Sequence, residues 1–175
     1  MMFSRLSLAV PLACLLAAPL PAQDLAAYES ADRAAVGIWN QMPLTLRNAG
    51  FVTEEAGGYG LNTPRDGAVF APGEPLLVYA EPLGYGWRQN DDATFTFGLS
   101  VDLVLRDPSG TVLGSQDDFQ RAEITSNRQN REFFVTLTLN LTNAPVGDYI
   151  LEYIVHDQIT EKSATMSFPF TIAAP

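Results

Sequence analysis

The stretch FTFGLSVDLVLR, residues 95–106, decides the fold. Phe95, Phe97, Leu99, Val101, Leu103 and Leu105 take every odd position, while the even positions are mostly small or polar. Successive side chains of a strand point to opposite faces, so this period of two predicts one long strand with one buried face. Directly after it, DPSG (107–110) carries proline at the second place and glycine at the fourth, as a type I turn prefers. TVLGSQ (111–116) is then the expected hairpin partner.

The same grammar extends in both directions. Phe133, Val135, Leu137, Leu139 and Leu141 alternate with threonines and Asn140. In DYILEYIVHD (148–157), Tyr149, Leu151, Tyr153 and Val155 share one face and Ile150 and Ile154 the other, which predicts a central strand. SATMSFPFTI (163–172) aligns Ala164, Met166, Phe168, Phe170 and Ile172. Pro169 points to an edge or a bulge there, because proline offers no N–H to a ladder. Upstream, PLLVYAE (75–81) is a compact apolar strand entered through the turn APGE. LTLRNAGFVTE (44–54) reads as one strand or two short ones, and residues 55–75, dense in Gly, Pro and Asn, as a long loop. About seven strands joined by short turns predict an all-β, antiparallel β-sandwich.

FAPGEPLLVYAE (70–81) and APVGDYILEYIVHDQITEKSATMSFPFTI (144–172) resemble the first and last strands of bacterial immunoglobulin-like domains. The chain from about residue 44 is similar to a family of uncharacterised exported bacterial proteins that carry one such domain behind a short N-terminal segment. The resemblance implies an immunoglobulin-like sandwich and carries no chemistry with it. No cysteine pair bridges the sheets, and Trp87 lies in a glycine-rich loop instead of within a strand. Tyr149, just after Gly147 and Asp148, is the candidate for a tyrosine corner, its hydroxyl bonding a nearby backbone group.

The N-terminal residues MMFSR, an apolar run broken by Pro11 and Pro19, and then PAQD have the arrangement of an export signal, with cleavage expected after Ala22. The run is too short to span a bilayer. The expected organisation is therefore a signal peptide over 1–22, a helical segment over 23–43 and a sandwich domain over 44–175, working in the periplasm or outside the cell. Within the segment, Leu25, Tyr28, Ala35 and Trp39 fall near helical spacing, with Asp24 as cap and Pro43 as stop. Tyr28 and Trp39 are expected to pack on the rest. Cys14, the one cysteine, leaves with the leader, so the mature chain has no disulfide, thiolate nucleophile or Cys-ligated zinc. The formal charge of −10 becomes −11 once Arg5 is removed. Such a surface repels phosphate backbones, so nucleic acid is not an expected partner.

Catalytic chemistry finds little material. His156 is the only histidine, no GxSxG elbow occurs, and Asp157 beside it points to the opposite strand face, so His156 reads as structural. One histidine and no cysteine do not build the usual zinc or copper shells. Calcium accepts carboxylates from loops, which makes Asp91, Asp92, Asp117 and Asp118 the candidates if their loops converge. The glycine clusters lack the lysine and context of a phosphate loop, and no cofactor is expected.

GGYG (57–60) and EPLGYGW (81–87) set tyrosines between glycines, which leaves their rings unshielded by neighbouring side chains. Tyr59, Tyr85, Trp87 and, at the rim, Arg88 are therefore the candidate binding residues, aromatics and arginine being common interface anchors. The expected function is a non-enzymatic interaction module that grips a protein or an envelope component. A carbohydrate-binding module, or a minor carbohydrate-active enzyme, is the alternative for the same rings. A structural subunit of an envelope assembly, joined through the helix or a sheet edge, is the third.

Overall fold

A computed structural model describes residues 24–174; the expected signal peptide, 1–22, lies outside the described residues. The chain divides into two units, one reaching to Ala34 and one running from Ala35 onward. Helix α1 (Leu25–Gln41) crosses this division. Asp24 Oδ1 accepts the Ala26 N–H at 3.2 Å, and the helix stops two residues before Pro43. Trp39 is its buried residue, whereas Tyr28, expected on the same docking face, is exposed.

Nine strands follow: β1 (Thr45–Val52), β2 (Val69–Phe70), β3 (Leu76–Leu83), β4 (Arg88–Gln89), β5 (Phe95–Arg106), β6 (Val112–Ser126), β7 (Val135–Leu139), β8 (Gly147–Asp157) and β9 (Ser163–Ile172). They form two sheets and an all-β sandwich. The three-stranded sheet has the order β1-β3-β7, and the six-stranded sheet runs β2-β9-β8-β5, with β6 along one edge of β5 and β4 at the start of the other. All pairings are antiparallel except the two-residue β2–β9 contact. Phe97 to Leu103 and Tyr149 to Val155, at their odd positions, line the same face as Met166, Phe170 and Ile172 of β9 and pack with Leu76, Val78 and Leu137 of the opposite sheet in one core.

The two strands beyond the seven expected are the two-residue β2 and β4, the first inside the predicted 55–75 loop. A larger difference is β6, which does not stop at Gln116 but runs on through QRAEITS. Pro169 sits where β9 pairs only with β8, before β2 joins at Thr171. β8 is central, flanked by β5 and β9. DPSG closes as expected, with the Gly110 N–H on Asp107 O at 3.0 Å and the Asp107 carboxylate taking Ser109 Oγ and the Thr111 N–H.

Two core tyrosines have opposite fortunes. Tyr149 Oη donates to Pro145 O at 2.7 Å, four residues back, and so acts as the corner expected of it. Tyr153 is 0% exposed, and its hydroxyl has no hydrogen-bond partner among the described residues. Burial pushes its phenol well above the ordinary value. A buried orphan hydroxyl costs about 1–3 kcal/mol, whereas a satisfied one contributes about 1 kcal/mol net. Tyr153→Phe is therefore expected to hold or raise the melting temperature, and Tyr149→Phe to lower it. Equal losses in the two variants would show that Tyr153 Oη has a partner after all.

Candidate functional site

The loop at 81–87 answers its own puzzle first. Tyr85 is 0% exposed, so the expectation of an accessible Tyr85 ring is corrected: it is a core plug. Its ring stacks on Phe97 at 4.5 Å and meets Trp39 edge-on at 5.1 Å. Its hydroxyl and Trp87 Nε1 both donate to Asn130 O, at 2.8 and 3.2 Å. Trp87 is half-buried and stacks on Trp39, whose own Nε1 donates to Tyr85 O at 2.7 Å. Arg88 is exposed, on β4.

The flanking glycines serve close approach, not display. Gly84 has φ +81°, and a Cβ there would overlap the carbonyl oxygen of Pro43; at Gly86 it would overlap Thr160 Cγ2. The left-handed backbone alone costs a non-glycine residue about 1–2 kcal/mol, and the overlap at Gly84 is with backbone. Gly84→Ala is expected to lower the unfolding free energy by more than that amount in urea. A change within about 0.5 kcal/mol would show that the loop is not clamped in this way.

Tyr59 leads elsewhere, to the outer face of the three-stranded sheet. The inward residues of β3 are Leu76, Val78 and Ala80, so Tyr79 and Glu81 face outward. They are nonetheless buried, because the chain from Thr53 to Arg65 folds across them. That cover is pinned by Thr53 N–H to Thr63 O, Arg65 N–H to Phe51 O, the Ala56 N–H to Thr136 Oγ1, and Gly60 N–H to Tyr79 Oη. Beneath it, β1 carries a bulge. Arg47 pairs with Glu81 and Gly50 with Tyr79, so Asn48 and Ala49 together oppose Ala80. Asn48 takes φ +53°, a left-handed conformation that asparagine tolerates better than most residues.

The bulge gathers a polar cluster. Glu81, 1% exposed, receives Arg47 Nε at 2.9 Å, Arg47 Nη2 at 2.8 Å and Asn48 Nδ2 at 3.0 Å on Oε2, and Tyr79 Oη at 2.9 Å on Oε1. Arg47 Nη2 also donates to Tyr59 Oη, and its guanidinium lies 5.9 Å from the centre of that ring. Desolvation pushes the Glu81 carboxyl up, but the hydrogen bonds from Arg47, Tyr79 and Asn48 together outweigh it and hold Glu81 below the ordinary glutamate range. Burial likewise raises the Tyr79 phenol. Beside this cluster opens a cleft of about 400 Å³, lined by Asn48 to Val52, Gly60, Asn62, Pro64 and Glu81. A buried, charged cluster in an open cleft next to a strained bulge is the strongest candidate site in the described residues.

Of the residues singled out in the sequence, Tyr59 alone belongs to this cluster. Arg47, Asn48, Tyr79 and Glu81 were missed, although RNAG, which interrupts an otherwise apolar strand, and the charge ending PLLVYAE were both visible. The calcium candidates do not converge. Asp92 is spent on its own turn, accepting Thr94 N–H and Oγ1, and Asp118 pairs with Arg121 at 2.7 Å. Asp91 and Asp92 precede the start of β5, whereas the β5–β6 register puts Asp117 and Asp118 opposite Asp102, well along that strand. His156 bonds Asp102, not Asp157, at 2.9 Å across β5 and β8. Ser100, directly opposite His156, is buried and its Oγ accepts from Gln158. Asp157 is buried on the core side, bonded to Gly86 N–H, Ile159 N–H and Thr160 Oγ1.

Comparison of the chain with known protein-family models and with curated proteins finds no match.

The depressed Glu81 carboxyl has a testable sign. The unfolded chain binds this proton first as pH falls, so the stabilisation is complete above the ordinary glutamate value and is lost as pH drops through the lower folded value. Between about pH 6 and about pH 3, the melting temperature of the natural chain is expected to fall more steeply than that of Glu81→Gln. Parallel curves would mean that the carboxylate contributes nothing in the folded state.

Proposed function

We propose that the chain is a non-enzymatic interaction module of the periplasm or the extracellular medium, and that its partner, a protein or an envelope component, enters the cleft over Glu81. The export-signal pattern at residues 1–22 supports that compartment. The observation that carries the site is Glu81 itself: a fully buried carboxylate on a face that an apolar side chain would cover at no electrostatic cost. Its partner Arg47 stays half-exposed, so the buried carboxylate is tied to a charge that reaches the surface beside the cleft, which supports recognition there. The long loop above it supports the same reading, because loops of this length in compact domains are commonly functional.

The reading as a structural subunit joined through a sheet edge has less support. β6 is long and pairs only with β5 among the described residues, yet its edge carries Asp117, Asp118, Arg121 and a bulge, devices that discourage strand addition.

Affinity capture from envelope extract separates the candidate surfaces, using residues 23–175 as bait with mass spectrometry and glycan analysis of what is retained. Tyr59→Ala, which removes the ring that Arg47 bonds, next in the chain to the cleft residue Gly60, is expected to lose a component that the natural sequence and Arg88→Ala both retain. Loss with Arg88→Ala and retention with Tyr59→Ala would move the interface to the Trp87–Arg88 rim and overturn the cleft.

A further inference from the structure

Resting on that reading of the cleft, we infer that what it holds is a neutral sugar residue. Charge balance is the first argument. Arg47 directs Nε and Nη2 at Glu81 and Tyr59, and Glu81 Oε2 already receives three donors. The pair cancels, so neither an anionic nor a cationic ligand gains a counter-charge on entry, and the chain as a whole, at −10, repels anions. Selection therefore falls on a ligand that is polar without being charged.

Size is the second argument. About 400 Å³ lies near the lower end of the range for small-molecule sites, about 300–1,000 Å³. That accommodates a sugar ring or a short piece of glycan.

The third argument is the lining. Asn48 and Asn62 each bring an amide, with donors and an acceptor in one plane, and a sugar hydroxyl is itself both donor and acceptor. Between them stands Pro64, an exposed apolar surface of the kind that packs on the C–H face of a sugar ring, whereas the Phe51 ring turns into the core against Phe70 and Phe168. The bulge fixes Asn48 in a left-handed conformation and its Nδ2 is tied to Glu81, so this part of the lining is set before any ligand arrives. Binding then costs less ordering of the site.

The test is a titration followed by backbone amide resonances, with glucose, galactose and N-acetylglucosamine as the neutral probes and glucuronate and glucosamine as charged counterparts. At least one neutral sugar is expected to give saturable shifts at Asn48, Gly60 and Asn62, with the charged counterparts weaker by about tenfold or more. Asn62→Ala, which removes a lining amide that also bonds the Tyr79 hydroxyl, is expected to weaken that binding about tenfold while amide resonances away from the cleft stay in place. Arg88→Ala is expected to leave it unchanged. Shifts at these amides by no neutral sugar at millimolar concentration, or equal shifts by the charged forms, would overturn the assignment. If Tyr59→Ala still loses its captured component in that event, the ligand class is wrong and the cleft stands; if it does not, the cleft reading falls as well.

Discussion

The carboxylate of Asp157 holds together parts of the chain that the sheets alone do not join. It is 2% exposed and collects the Gly86 N–H at 2.8 Å, the Ile159 N–H at 2.9 Å and the Thr160 hydroxyl. Three donors satisfy a buried charge that would otherwise be prohibitively costly. Its own N–H bonds Lys162 O at 2.8 Å, which closes the turn between β8 and β9. Lys162 Nζ then reaches out from that turn to Met42 O and Gly84 O, each at 2.8 Å. The end of the helix, the 83–87 loop and the last hairpin thus share one acid and one lysine. Tyr85 can enter the core only because its two glycine neighbours let Pro43 and Thr160 come this close.

Glu81 is the other buried acid and obeys a different logic. Asp157 is answered largely by backbone donors and its own turn, in a place with no opening. Glu81 is answered by side chains from a bulged neighbouring strand, chiefly a half-exposed arginine that itself continues to a rim tyrosine. Removing the cover over 53–65 would expose the pair to water without unpicking either sheet, because the bonds of that cover run to β1, to Tyr79 and to Thr136. Asp157 is therefore part of the frame, and Glu81 belongs to a feature laid on the frame's outer face.

What the sequence made legible follows burial. β5, β8 and β9 each bury one face, so the period of two shows directly; the central place of β8 was legible in the apolar residues on both its faces, and the corner at Tyr149 in its place after Gly147 and Asp148. The polar half of β6 did not show because its inward positions, Gln120, Ala122, Ile124 and Ser126, are only half-buried and two of the four are polar. Glycines around Tyr85 were legible as a special backbone, but the pattern does not say whether the space serves display or close approach; the overlap with Pro43 and Thr160 decides for approach. The cluster at Glu81 was illegible for a topological reason. Arg47 and Glu81 lie 34 residues apart and meet only through the β1–β3 register. Tyr59 was noticed for its glycines, and its partner was not.

The long edge of β6 is itself interrupted. Opposite Asp102 the strand swells into a bulge, Val101 pairing with Gln120 and Leu103 with Gln116. Asp118 turns left-handed there, at φ +49°, and gives its N–H to Asp102 Oδ1 at 2.8 Å. That bond, followed by the one from His156, holds the Asp102 carboxyl below its ordinary range. The bulge also sends Phe119 back toward Tyr153, ring centres 5.8 Å apart. An incoming strand would have to follow an edge broken in the middle and charged on both sides of the break, which removes the even ladder that strand addition needs. The bulge in β1, also an edge strand, disturbs a ladder in the same way, but there the 53–65 segment closes over one side. One kind of irregularity thus blunts an edge in β6 and opens a lined hollow beside β1.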